Sequence, residues 1–303
     1  MVNHGLKLRY VFALLSIVLS SGASTDVRRT QSGFVEVGGD QIYFESTGSG
    51  QAVVLSHGAG GHHGIWMYQT PVLATQYRVI TWDQRGWGRS TNHDGIGGSH
   101  DTAVADLKAL LDHLGVEEAH VVGQSMGGWA VAGFAIDYPD QTLSLTLANT
   151  FGGLATADMQ KMLTPEANEA RMDEWRVRMA AAGRAPGSTD NGYWTEPTIV
   201  DPERAFQYGQ IRRLAPNRVV TGKNDYVFED EADKLEQVAA LDLPVLIITG
   251  THDPIFEPRL MQKLHNALPN STLHEIKDSG HSPYFERPEI WNQLVLDHFA
   301  ESR

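Results

Sequence analysis

The chain has 303 residues, 41% hydrophobic and 20% charged, with a formal net charge of −13 from 24 basic and 37 acidic side chains. This is the profile of a globular protein, not of a fibre, a disordered tail or a bundle of membrane spans, and its acidic balance repels nucleic-acid phosphates. Cysteine is absent, which removes disulfides, thiolate catalysis and Cys-ligated zinc.

The N-terminal stretch differs from the rest. Lys7 and Arg9 precede an apolar run from Tyr10 to Leu19, and Ser20, Ser21, Gly22, Ala23 and Ser24 follow. A basic start, an apolar run of about 7–15 residues and a small-residue exit describe a secretory signal peptide. Residues 1–23 are therefore expected to be removed near Ala23, leaving a secreted or periplasmic protein. Spanning a bilayer takes about 20 apolar residues, and no stretch is that long, so stable membrane insertion is not expected.

From Phe34 the pattern becomes regular. The runs around Gly38 and Gly39 alternate apolar and polar residues, as a hairpin does. Short apolar runs at 52–58, 77–83, 119–123, 143–149 and 243–250 read as buried strands, and 271–277 as another strand. Val104, Leu107, Leu110, Leu111 and Leu114 recur at helical spacing before Gly115, and further helices are expected over Met126–Tyr138, Pro258–Leu268 and Pro288–Phe299. Residues 154–232 break this rhythm with irregular amphipathic pieces, read as a mostly helical insertion with one weak strand-like run at 218–222. Strands alternating with helices imply a mostly parallel sheet with helices on both faces, whose ligand crevice lies beyond the carboxyl ends of the strands.

The chemistry-bearing residues fall at such ends. Gly123-Gln124-Ser125-Met126-Gly127 has the form G-x-S-x-G between a strand and a helix. That turn pushes a serine hydroxyl out above the sheet, and its glycines avoid clashes with neighbouring elements. A serine needs a base to take its proton. His281 is the candidate, in a loop after the last strand beside Gly280. His57 precedes the nucleophile and is expected to shape a loop instead. Asp253, directly after a strand, is the candidate for the acid that orients the imidazole, ahead of Asp225 in the insertion and of Asp83, which is expected to pair with Arg85. The order Ser125, Asp253, His281 suits one sheet edge.

An oxyanion needs two N–H donors. Met126 at the helix start is one candidate, and Ala59 in the loop His57-Gly58-Ala59-Gly60-Gly61 is the other, with Gly60 behind it. That loop is no dinucleotide fingerprint, since His63 stands where the last glycine belongs, and no phosphate-binding P-loop occurs. Nucleotide cofactors are therefore not indicated. His62 and His63 would point oppositely on a strand, so no metal site is expected from them either. Trp66, Trp129 and Tyr284, with Phe285, either line an acyl pocket or pack the core; Trp175, Tyr193 and Trp194 in the insertion are equally open.

HGAGG (57–61), DQRGWGRS (83–90), GQSMGG (123–128), GTHDPI (250–255) and SGHSPYFERPE (279–289), in that order and spacing, resemble the α/β-hydrolase superfamily. The resemblance covers about 34–151 and 233–301 and is closest to capped microbial esterases, lactonases and C–C-bond hydrolases. It implies an α/β-hydrolase core over 34–151 and 233–303, a helical cap over 152–232, the catalytic set Ser125, Asp253 and His281 with oxyanion amides at Ala59 and Met126, and no cofactor. The oxyanion loop lacks the proline of some relatives, a minor departure. Epoxide hydrolases and haloalkane dehalogenases share the fold but place Asp at the nucleophile, and Ser125 argues against both. The expected substrate is a small ester-like carbonyl compound. The rival expectations are a binding module with little turnover, a cofactor-free perhydrolase or haloperoxidase, and a C–C-bond hydrolase.

Overall fold

The computed structural model describes residues 29–93, 95, 100–162, 164–181, 202–214 and 232–302. The expected signal segment, Asp225, the run at 218–222, Tyr193 and Trp194 lie outside these residues.

Eight strands form one sheet: β1 (Thr30–Val37), β2 (Asp40–Gly48), β3 (Ala52–Ser56), β4 (Arg78–Trp82), β5 (Ala119–Gln124), β6 (Thr142–Ala148), β7 (Val245–Gly250) and β8 (Ser271–Ile276). Their spatial order is β1-β2-β4-β3-β5-β6-β7-β8. β1 and β2 are a hairpin whose two turn residues, Gly38 and Gly39, have φ of 61° and 88°, as a two-residue turn matched to strand twist requires. β2 also meets β4 antiparallel, and from β4 onward every pairing is parallel.

Every residue of β3, β5 and β7 is buried, because helices cover both faces. Side chains alternate between the faces at period two. Val54, Ile80, Val121 and Ile247 join one core, against α2 (His100–His113), α3 (Gly127–Asp137), α7 (Ala232–Ala240) and α8 (Pro258–Ala267). Val53, Leu55, Val79, Val122 and Ile248 join the other, against α1 (Thr70–Leu73), α9 (Pro283–Glu286) and α10 (Pro288–Glu301). Each such side chain is worth about 1.5–3 kcal/mol on burial, so this alternation fixes the register of the strands.

The segment between β6 and β7 contributes α4 (Ala157–Met162), α5 (Pro165–Ala181) and α6 (Pro202–Arg213). α7 follows them and packs Leu235 and Val238 into the first core. Among the described residues no helix is long and apolar enough to cross a membrane. Chain order reverses on either side of β3, so the crevice of this open sheet lies above β3 and β5.

Candidate active site

β5 ends in Gln124, and the chain turns through Ser125 into α3. Ser125 has φ of 49°, a left-handed conformation that costs about 1–3 kcal/mol in a non-glycine residue and is held only where the surroundings enforce it. Here Ser125 N–H donates to the Ala148 carbonyl at 3.0 Å, and Gly128 N–H donates to the Ser125 carbonyl at 2.9 Å. The turn is packed from beneath: a methyl group on Gly127 would stand 2.1 Å from the Ser56 carbonyl oxygen, and one on Gly123 2.5 Å from that of Gly127. Ser125 itself is half-buried between buried neighbours.

Asp253 follows β7 and is 3% exposed. Its Oδ1 accepts from the Ile255 and Phe256 amides at 2.8 and 3.1 Å. Its Oδ2 accepts from Asn149 Nδ2 at 2.7 Å and lies 3.0 Å from His281 Nδ1. Burial alone would raise the Asp253 pKa; the facing His281 and the donated hydrogen bonds outweigh it and hold the carboxyl below its usual range. His281 is held in turn: Gln124 Nε2 donates to its carbonyl at 3.0 Å, and the Phe256 ring stacks on the imidazole at 5.8 Å and 15°. With Nδ1 turned to Asp253, Nε2 is the nitrogen left to exchange a proton. The structure thus brings Asp253 and His281 into direct contact. Gln124, the residue before Ser125, ties the imidazole loop to the serine turn.

Sequence reasoning missed three supports. Asn149, at the end of β6 with φ of 53°, links Asp253 to the Gly280 carbonyl at 3.2 Å. Glu286 accepts from the Gly280 amide at 2.7 Å. Gln124 is the third. The positions of Asn149 and Gln124 at strand ends were the one signal available for them.

Gly58 abuts the serine, since a methyl group there would lie 3.0 Å from Ser125 Cβ. The amides of Ala59 and Met126 donate no hydrogen bond among the described residues. Two unspent N–H groups on either side of a serine suit a developing oxyanion.

The histidines nearby have other work. His57 is fully buried, accepts from the Gln84 amide at Nε2 (3.0 Å) and donates from Nδ1 to the Gly58 carbonyl (2.8 Å). It shapes the loop, and burial pushes its pKa down to about 4. The expected Asp83–Arg85 pair does not form. Arg85 instead reaches Asp106, at 3.0 and 2.6 Å, and Asp40, while Asp83 accepts from the His63 ring at 2.8 Å and from the amides of His63 and Arg89. His62 and His63 also depart from expectation. They enter a 3-10 turn (His63–Trp66) rather than a strand, so their rings meet at 5.1 Å. With Asp83 they offer three possible ligand atoms within 4.8 Å of one another. Those atoms are spent on hydrogen bonds: His62 Nε2 to the Ile211 carbonyl, its Nδ1 from Gly64 N–H, and His63 Nδ1 to Asp83.

Residues 51–288 match the family model described as the alpha/beta hydrolase fold. The chain belongs to this family. It is 30% identical over 262 residues to a Mycobacterium tuberculosis protein named as a non-heme bromoperoxidase, covering 86% of this chain and 97% of that one. It is 27% identical over 296 residues to a 2-hydroxy-6-oxononadienedioate/2-hydroxy-6-oxononatrienedioate hydrolase of Pseudomonas putida, covering 93% and 99% of the two. Among solved structures, a thermophilic esterase from Thermogutta terrifontis superposes with a TM-score of 0.71 at 28% identity, covering 90% of this chain and 99% of the esterase.

In this hydrolase the aromatics flanking the motifs are mostly packing residues. Trp66 and Tyr284 are fully buried and lie 5.0 Å apart, with Trp291 5.9 Å from Trp66. Phe285 is fully buried in the same core, and Trp129 is 6% exposed in the other.

Proposed function

We propose that this chain is a serine hydrolase that cleaves a carboxylic ester, or a related carbonyl compound such as a lactone, through an acyl-enzyme. The observation that carries the reading is the 3.0 Å contact of His281 Nδ1 with Asp253, tied through Gln124 to a serine in a left-handed turn. Ser125 Oγ attacks the carbonyl carbon and its proton passes to His281 Nε2, while Asp253 stabilises the imidazolium. The tetrahedral oxyanion is met by the amides of Ala59 and Met126. His281 then gives its proton to the leaving oxygen as the C–O bond breaks, and the acyl group stays on Ser125. Water attacks the acyl-enzyme, its proton goes to Nε2 and then to Ser125 Oγ, and the acid leaves. The cycle balances without a cofactor.

A second reading draws on the M. tuberculosis relative: hydrogen peroxide in place of water at the acyl-enzyme would release a peracid. We also propose that the mature protein acts outside the cytoplasm, a reading supported by the signal-like residues 1–23.

The test is covalent labelling with a fluorophosphonate alongside hydrolysis of p-nitrophenyl acetate. Ser125→Ala should abolish labelling and lower kcat by about three to six orders of magnitude with the fold intact. A variant that hydrolyses as fast as the parent would refute the assignment. A parent that neither labels nor hydrolyses refutes the serine-esterase reading and favours its rivals, the binding module among them.

A further inference from the structure

Helix α6 lies across the site and touches both of its walls. On the His281 side, the Tyr208 hydroxyl lies 3.3 Å from Ser282 Oγ and 2.7 Å from the Tyr284 hydroxyl, and Arg204 Nη1 donates to the Glu286 carbonyl at 3.1 Å. On the other side, the Ile211 carbonyl meets His62 Nε2 at 2.8 Å, and Arg212 Nε donates to the Gly60 carbonyl at 3.1 Å. The Arg212 guanidinium lies 5.9 Å from the Tyr208 ring centroid. Gly60 has φ of 76°, and a methyl group on it would stand 1.9 Å from Arg212 Nη2, so only glycine lets the guanidinium rest on this loop. Gly60 adjoins Ala59, whose amide is free to donate, and Gly58 abuts Ser125.

Arg212 is half-buried. Among the described residues no carboxylate pairs with it, and Nη1 and Nη2 donate no hydrogen bond. Arg85 makes the contrast, with two carboxylates around its guanidinium. Partial burial of a cation without a counter-ion is unfavourable, and the chain carries 37 acidic side chains, none of which among the described residues pairs with Arg212. The open edge of the guanidinium matches a planar carboxylate through two parallel hydrogen bonds.

We propose that Arg212 binds a carboxylate on the substrate, so that the enzyme prefers esters or lactones bearing an anionic group beside the scissile carbonyl. The proposal rests on the serine-hydrolase reading for its chemistry, and the test separates the two. The kcat/KM of mono-p-nitrophenyl succinate is compared with that of its methyl ester, which has nearly the same shape without the charge. The parent should favour the carboxylate. Arg212→Gln should lower the ratio of the two kcat/KM values about 10–100-fold, chiefly through the KM of the charged ester, as expected for one charge-assisted hydrogen-bonded contact. Arg212→Lys keeps the charge without the fork and should fall between. A role confined to docking α6 would move both esters together, so an unchanged ratio in Arg212→Gln overturns the proposal. Turnover of the neutral ester, and its loss in Ser125→Ala, tests the hydrolase reading by itself. If neither ester turns over, that reading fails and calorimetric binding of phenylacetate and phenylacetamide decides for Arg212. Tighter binding of phenylacetate by the parent, lost in Arg212→Gln, supports the proposal; equal binding of the two refutes it.

Discussion

Acid should unfold this protein partly through a histidine outside the proposed catalytic set. His57 is fully buried, and desolvation lowers its pKa from 6.5 to about 4, although the nearby Asp83 acts in the opposite direction. Its two ring nitrogens are committed as one donor and one acceptor, an arrangement only the neutral ring satisfies. In the unfolded chain the same imidazole takes a proton near pH 6.5. Between about pH 6.5 and 4 the unfolded state therefore holds the extra proton, and falling pH favours unfolding. Linkage gives about 2 kcal/mol lost from this group alone between pH 8 and pH 5, and about 3 kcal/mol by pH 4. His57→Gln retains a donor and an acceptor but cannot titrate. Urea denaturation at pH 8 and pH 5 should show the parent losing about 2 kcal/mol more than the variant over that interval. Equal losses in the two proteins would refute the argument, whatever the variant's stability at pH 8.

Two further outcomes are expected. Arg85→Met leaves the buried carboxylates of Asp40 and Asp106 without their shared cation and should destabilise the protein by about 3–5 kcal/mol in urea denaturation. N-terminal sequencing of protein secreted by its native host should begin near Ser24; an intact Met1 would reject the signal-peptide reading.

The sheet was legible because its strands are short apolar runs between glycines, and burial on both faces leaves such runs few other uses. The expected strand at 119–123 is observed at Ala119–Gln124, and the one at 243–250 at Val245–Gly250. Elements of one or two turns were not legible. Thr70–Leu73 and Pro283–Glu286 are too short to show a helical period, and their place is set by packing against α10 and the 3-10 turn at His63–Trp66. α7 was missed for a related reason: it follows the irregular insertion, and only Leu235 and Val238 mark its buried face.

The site divides along the same line. The proposed catalytic roles carry a local signature, such as a glycine-flanked turn or an acid directly after a strand, so Ser125, Asp253 and His281 stand out in the chain. A positioning role imposes none. Asn149 acts on Asp253 across 104 positions, and Gln124 on His281 across 157. Each contact exists because parallel pairing sets β5, β6, β7 and β8 side by side, so that the loops at their carboxyl ends meet. Asp83 fails as a sequence inference for the converse reason. Arg85, two residues away, was the obvious partner, yet Asp106 on α2 and Asp40 at the start of β2 take the guanidinium. Asp83 is thereby left to hold the turn through His63, and that turn brings His62 against the Ile211 carbonyl of α6. The pairing of three acids thus helps to set the loop at 60–63 against which α6 and Arg212 rest.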